Sequence, residues 1–484
     1  MAIKKNLAYF GPLKSDTLLH YFRINDPYRV IGLLIVLLLL YLPVLIDVAP
    51  ITYPELKTMI VGDKVLEGSA LYTEIIDSTP PFTGWFFAVI NWIFGDNLAL
   101  KHILAFIILF LEAVVLGLIF IDKKAFPDSS FIPSLIFGIL CVFSFDTLSL
   151  SGELVGTFFL LIALNSLFRE IEFREENFEM VLKTGLFIGI ASLFEFSFSV
   201  YVVAVLIILI LYTRTSGRKI FLLFTGYLLP HLFLISIYSI KGGVDLLWEY
   251  FYVPNLGFGG DSFVTPGSLM VLLSIPVLFF VASLIMLNRE SRFTKYQSQL
   301  LQAMFFWTIF SVLQAFYSKA LRPHCFIPAM IGLSFFISHF FHIVARKRFA
   351  ELAFWIFLLG IVSVAYYYRY SGLNEGTYGK LLVERINNRE FAGKKIVVLA
   401  DSLELYNGTS MSTPFLNWRL SEDIFRNPEY YDNINFVYQG FLEKPDIVID
   451  PKNLLRPFIE TIPSLRSQYA RSPQGYERIG NISN

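Results

Sequence analysis

Cysteine is nearly absent. Two occur in 484 residues, Cys141 and Cys325, each inside an apolar run. That usage excludes a disulfide framework and a cysteine-built zinc site. Charge is scarce as well: 16% of the residues are charged, against roughly 25% in a soluble domain. Basic and acidic residues balance at 39 each, so the total says nothing about partners and the distribution has to be read instead. The six histidines are scattered. There is no P-loop, HExxH, CxxC, GxSxG or dinucleotide fingerprint. Neither a strong internal repeat nor a low-complexity stretch is present, and no inverted repeat or broken helix pair of the transporter kind can be read.

What is there is apolar. Hydrophobic residues make up 55% and aromatics 17%, with 50 Phe, and the mean hydropathy is +0.60. Several runs approach or exceed the roughly 18 apolar residues that mark a transmembrane helix. The expected fold is an all-α polytopic membrane domain of about eleven spans. They are placed at 30–46, 98–121, 132–148, 152–168, 184–196, 198–213, 220–240, 268–287, 299–317, 325–345 and 351–369.

Sidedness follows from the basic residues. Lys4, Lys5, Lys14, Arg23 and Arg29 precede the first span, and the positive-inside rule puts residues 1–29 in the cytoplasm. Their basic polarity also makes the first run a first span rather than a cleavable signal. The next apolar stretch, 82–94, is about 13 residues, short of the roughly 20 needed to cross. Read as juxtamembrane, it leaves Lys123/Lys124, Arg169/Arg174/Lys183, Arg214/Arg218/Lys219, Arg289/Arg292/Lys295 and Arg346/Lys347/Arg348 on the inner side. Residues 47–97 then form one long acidic outer loop, a length that is usually functional. Within it, 54–66 reads as a short interfacial helix, and Pro80-Pro81 suits the start of another.

The membrane domain is expected over 30–370. From 371 to 484 the text becomes that of a small α/β domain on the periplasmic side. Short β-branched runs at 396–399 and 447–449 read as buried strands, 417–426 as a helix and 435–438 as a possible strand.

Candidate chemistry sits at outer helix ends, where ionisable groups are functional suspects. Glu55, in the first turn of the loop helix, is either a general base or a helix cap; Asp47, at the end of the first span, is its rival. Asp77 either orients Tyr72 or a basic group, or is a turn residue. Asp146 and Glu153 flank a very short outer loop and could face a metal, a sugar or an amine. Arg322 and His324, with Lys319, could clamp a phosphate or anchor the span at the headgroups. Lys241 and the aromatic stretch 248–255 form another outer loop, where aromatics are usually belt residues.

These residues resemble a known pattern. Glu55, Gly68, Leu71-Tyr72, Ile76-Asp77, Pro80-Pro81 and Phe94-Gly95 are similar to the first-loop signature of polytopic C-type glycosyltransferases, the superfamily of protein O-mannosyltransferases and aminoarabinose transferases. Glu153 at the start of a span, the TGYLLPHLFL and KALRPHCFIP stretches and the terminal PDIVID extend the resemblance over nearly the whole chain. The text is also close to a group of Bacteroidetes membrane proteins. The sequence departs from the superfamily at Tyr53-Pro54-Glu55, where Asp is usual, at Glu195, where a basic residue is common, and at Cys325, where Tyr is usual. The resemblance implies an inner-membrane enzyme that moves a sugar from a polyprenyl-phosphate donor to a glycan, lipid or protein acceptor on the periplasmic side, with inversion. Glu55 would be the base. Asp47, Tyr72, Asp77, Glu153, Arg322 and His324 would bind substrate. No cofactor requirement is evident, a divalent metal is left open, and no nucleic-acid partner is expected. The alternative is an inactive scaffold of the same fold in an envelope export or polysaccharide assembly complex; a transporter is a third reading.

Overall fold

The computed structural model describes residues 18–479 except 24–25, 174–177, 214, 290–292, 345, 371–377, 379, 384–390, 392 and 413. Lys4, Lys5, Lys14, Arg174, Arg214 and Arg292, part of the charge reading above, lie outside the described residues. The chain is an α-helical bundle followed by a small α/β domain. Among the described residues seven helices are long and apolar enough to cross a membrane: Arg29–Ile46, Leu98–Asp122, Gly152–Glu172, Gly217–Lys241, Lys295–Tyr317, Pro323–Ile343 and Lys347–Tyr370.

The other four expected spans take different forms. The segment 268–287 is a pair of helices, Pro266–Leu272 and Ser274–Leu287, bent by 56°. This corrects the reading that no broken helix is present. Pro276 lies in the first turn of the second helix, and its ring and missing N–H prevent continuous helix across the junction. The expected span 132–148 is a nine-residue helix, Ile132–Leu140, followed by tight 3₁₀ turns. Every residue of that helix is buried, so protein rather than lipid surrounds it and a full bilayer-length run is not needed. Phe178–Phe194 and Val200–Tyr212 are likewise short.

Small residues let the helices approach closely. A Cβ added at Gly189 would strike the Tyr227 carbonyl, and one at Gly226 the Leu182 carbonyl. Two helices thus meet backbone to backbone, as small residues allow in membranes. Gly189→Leu is therefore expected to cost roughly 1–3 kcal/mol through overpacking, read as a lower thermal midpoint of the detergent-solubilised protein.

The two ends of the bundle differ. At one, Arg23 pairs with Asp128 at 3.7 Å, Lys123 with Glu172 at 3.4 Å and Lys219 with Glu170 at 2.5 Å. At the other, Asp47 pairs with Arg369 at 3.3 Å, and the loop helix Tyr53–Leu66 packs against the helix Pro81–Phe94. Asn91, near the end of the second of these, donates to the Met59 carbonyl at 2.9 Å and accepts from Lys101 at 2.8 Å. Thr83, near its start, donates to the Phe194 carbonyl at 2.6 Å.

Two short strands, β1 (Asp261–Ser262) and β2 (Ala320–Leu321), pair in parallel. The C-terminal sheet has five strands, β3 (Lys395–Val398), β4 (Ser410–Met411), β5 (Ile447–Ile449), β6 (Tyr469–Ser472) and β7 (Gly475–Arg478). They pair in the order β4-β3-β5-β7-β6. β5 is parallel to β3 and antiparallel to β7. The expected strand at 435–438 is instead inside a helix, Tyr431–Gly440. β5 already has β3 and β7 as neighbours, and Val437 goes into the core under the sheet.

The segment between the first two long helices and this domain share one core. Leu56, Ile60, Val61, Leu71 and Tyr72 pack in the same apolar cluster as Ile396, Val397 and Val448. Backbone bonds join them: Ile76 N donates to the Pro414 carbonyl at 2.7 Å, and Asn417 N to the Ile76 carbonyl at 3.0 Å. Loop residues that look solvated in sequence are thus the foundation of the terminal domain.

Candidate functional site

A cleft opens at the loop end of the bundle. Its walls come from the start of the loop helix (Glu55, Lys57, Thr58), the 78–83 segment, the start of helix Gly152–Glu172 (Ser151, Glu153), the turn at Glu195, Asn255, and the 318–322 segment with Lys319 and Arg322. Glu55 and Arg322, 267 positions apart by number, therefore line one hollow.

Glu55 forms a reciprocal cap. Its backbone N donates to Thr52 Oγ1 at 3.4 Å, and Thr52 N donates to Glu55 Oε2 at 3.3 Å, the capping-box arrangement. The other oxygen, Oε1, lies 3.0 Å from His102 Nε2. Glu55 is buried, and both of its oxygens are engaged. Glu55 is therefore a helix cap that also stands in the cleft wall. Thr52→Ala is expected to lower stability by about 1 kcal/mol, measurable by thermal unfolding.

Asp77 is buried and held by three groups. Lys57 Nζ is 2.8 Å from Oδ1, while Thr79 N, at 2.8 Å, and Thr79 Oγ1 donate to Oδ2. Tyr72 does not reach the cleft lining. Its φ is 67°, a left-handed conformation uncommon for a bulky residue. Its hydroxyl donates to the Thr79 carbonyl at 2.6 Å, so Tyr72 fixes the Asp77–Pro80 turn from behind.

Arg322 sits between two carboxylates. Nη1 is 3.1 Å from Asp146 Oδ1, and Nη2 is 3.2 Å from both oxygens of Glu153. The guanidinium thus supplies the positive charge that two facing acids require. Burial by itself would lower its pKa; Glu153 and Asp146 outweigh that and hold it above the ordinary value.

His324 is fully buried and does not line the cleft. Its backbone N donates to Asp146 Oδ2 at 2.9 Å, its Nδ1 lies 2.9 Å from the Asp146 carbonyl, and its Nε2 lies 2.7 Å from Ser151 Oγ. A carbonyl only accepts, so Nδ1 carries the proton and Ser151 donates to Nε2. Asp47 is also away from the cleft lining, exposed and paired with Arg369.

Two charged groups in the cleft stand apart. Glu195 occupies the turn between helix Phe178–Phe194 and the 3₁₀ turn Phe196–Ser199. Among the described residues it has no cation within ion-pair distance; its partner is Ser197 Oγ, which donates to Oε1 at 2.8 Å. Burial, then the nearby Glu153 charge, push its pKa up to about 7. Lys319 has no carboxylate within ion-pair distance among the described residues. Its Nζ donates to the carbonyls of Gly257 and, at 3.2 Å, Gly259. Burial lowers its pKa and Glu195 opposes that, so the two groups feel each other. The sequence reading named Lys319 beside Arg322 but took Glu195 only as a departure from the superfamily pattern, one that favours the scaffold. The signal at Glu195 was an acid alone in a tight turn between two apolar runs.

Among the described residues no group of three or more His, Cys, Asp or Glu side chains is placed to hold a metal ion.

No family model matches the chain, and no curated protein sequence matches it. Solved structures do. An oligosaccharyltransferase from Archaeoglobus fulgidus, tethered with an acceptor peptide containing the NVT sequon, is similar over 94% of this chain and 74% of its own, at 12% identity and a TM-score of 0.47. ArnT from Cupriavidus metallidurans, bound to undecaprenyl phosphate, is similar over 91% of this chain and 89% of its own, at 10% identity and a TM-score of 0.48.

Proposed function

We propose that this protein is a membrane glycosyltransferase acting at the cleft, on the periplasmic side of the inner membrane, with a polyprenyl-phosphate sugar as donor. The observation that carries the proposal is the charge balance of the cleft. Arg322 is neutralised by Asp146 and Glu153, Lys57 by Asp77, and Glu55 is capped. Glu195 and Lys319 stand without a partner of opposite charge among the described residues. One is a carboxylate that titrates near neutrality; the other is a cation at the cleft rim.

That pair suits the reaction. A base with a pKa near the working pH is effective. Glu195 takes the proton of the acceptor's hydroxyl or amine as that atom bonds to the anomeric carbon. The bond from that carbon to the phosphate oxygen breaks on the opposite face, so configuration inverts. Polyprenyl phosphate leaves with the electron pair, and Lys319 stabilises the charge it gains. The Glu153–Arg322–Asp146 ion pairs hold the cleft floor rigid. Glu55, the base expected from sequence, is the alternative proton acceptor, with His102 behind it.

A second reading has an observation in its favour. The neutralised Arg322 and the capped Glu55 are what an inactive scaffold would retain. Mass spectrometry of envelope glycans and glycoproteins separates the two. A deletion strain carrying Glu195→Gln or Lys319→Gln should show the same missing glycan as the deletion itself. Full restoration by both variants would leave the scaffold.

A further inference from the structure

We infer that Ser197 and Gln314 are positioning residues for Glu195, a one-way line of hydrogen bonds that keeps its carboxylate ionised and aimed. The inference rests on the reading of the cleft given above. Ser197 Oγ donates to Glu195 Oε1 at 2.8 Å, and Gln314 Nε2 donates to Ser197 Oγ at 2.9 Å. Ser197 is 3% exposed and Gln314 0%, so the bond between these two is shielded from water.

The direction of the line is forced. A carboxylate only accepts, and a serine hydroxyl has one hydrogen. That hydrogen goes to Glu195, so Gln314 has to present its NH₂ group, not its carbonyl, to Ser197. Gln314 Oε1 is accordingly left without a hydrogen-bond partner among the described residues. Protonation of Glu195 weakens the acceptor at the end of the line, and a proton on Glu195 Oε1 would set two donors, it and the Ser197 hydroxyl, against each other. Hydrogen bonding to the charged form favours that form. The line thus opposes burial and Glu153, which favour the protonated one. The charged groups facing Glu195 are Glu153 from helix Gly152–Glu172, Arg322 and Lys319 from the 318–322 segment, and Glu55 and Lys57 across the cleft.

The test needs no substrate. The carboxyl stretch of Glu195 can be followed by infrared titration of the purified full-length protein in detergent, identified by its disappearance in Glu195→Gln. In the wild type the protonated band should fade with a midpoint about 7. Ser197→Ala should raise that midpoint by roughly one unit, a tenfold tighter proton. Gln314→Leu should move it the same way by less, and Ser197→Thr, which keeps the hydroxyl, should leave it in place. Midpoints equal to wild type in both Ser197→Ala and Gln314→Leu would overturn the inference. Normal sugar transfer by Glu195→Gln, with the midpoints shifted as described, would instead remove the function proposed for the cleft and leave the line intact.

Discussion

Glu195→Gln is expected to lower sugar transfer by about 10²–10⁴-fold, the usual contribution of a positioned general base, in a protein that still folds. Glu55→Gln, by contrast, should lower stability more than rate, because its carboxylate is engaged with Thr52 and His102. If Glu55→Gln abolishes transfer and Glu195→Gln does not, the roles are reversed. The pH dependence gives a second signature. A base works deprotonated, so wild-type transfer should be present above about pH 7 and fall as pH drops through that value.

Stability should move in the opposite direction. The folded pKa of Glu195 is raised from an ordinary 4.5, so folding favours its protonated form. The contribution is fully present at low pH and is lost as pH rises from about 4.5 to about 7. Glu195→Gln removes the charge that burial penalises. Its thermal midpoint should therefore exceed that of wild type at pH 8 by more than at pH 5. A constant difference between the two pH values would contradict the raised pKa.

Arg322→Met is expected to be the most destabilising single change in the cleft, at about 3–5 kcal/mol, the cost of breaking a buried ion pair by removing one partner. Asp146 and Glu153 would be left facing each other, nearly dry, with no counter-charge. The triple change Arg322→Met, Asp146→Asn, Glu153→Gln should recover most of the loss, since it removes the isolated charges together with the guanidinium. Membrane yield and thermal unfolding of the detergent-solubilised variants measure both. Wild-type stability in Arg322→Met alone would mean that the ion pairs carry little, and that Arg322 is available to a phosphate after all.

The expected site residues were placed differently because their surroundings depend on partners far along the chain. Arg322 meets Asp146 across 176 positions and Glu153 across 169. No local pattern says which of two acids and one base will neutralise each other. Glu195 emerges as the unmatched acid only once those pairs are made. His324 looked like a phosphate ligand because it follows Arg322 and Pro323; the fold instead turns its ring to Asp146 and Ser151.

Apolar run length by itself determined the membrane-spanning class and the position of most helices, and the change of composition toward the C-terminus marked the small sheet-bearing region there. Both are local: burial in lipid or in a sheet is written in consecutive side chains and their spacing. Only the tertiary structure decided the rest. It bent the 266–287 segment, turned 435–438 into helix, joined the segment between the first two long helices and the last domain in one core, and chose which charges in the cleft remain uncancelled. Those outcomes are set by contacts between distant segments, where packing and ion pairing compete for the same few partners, and no stretch of sequence holds both sides of that competition.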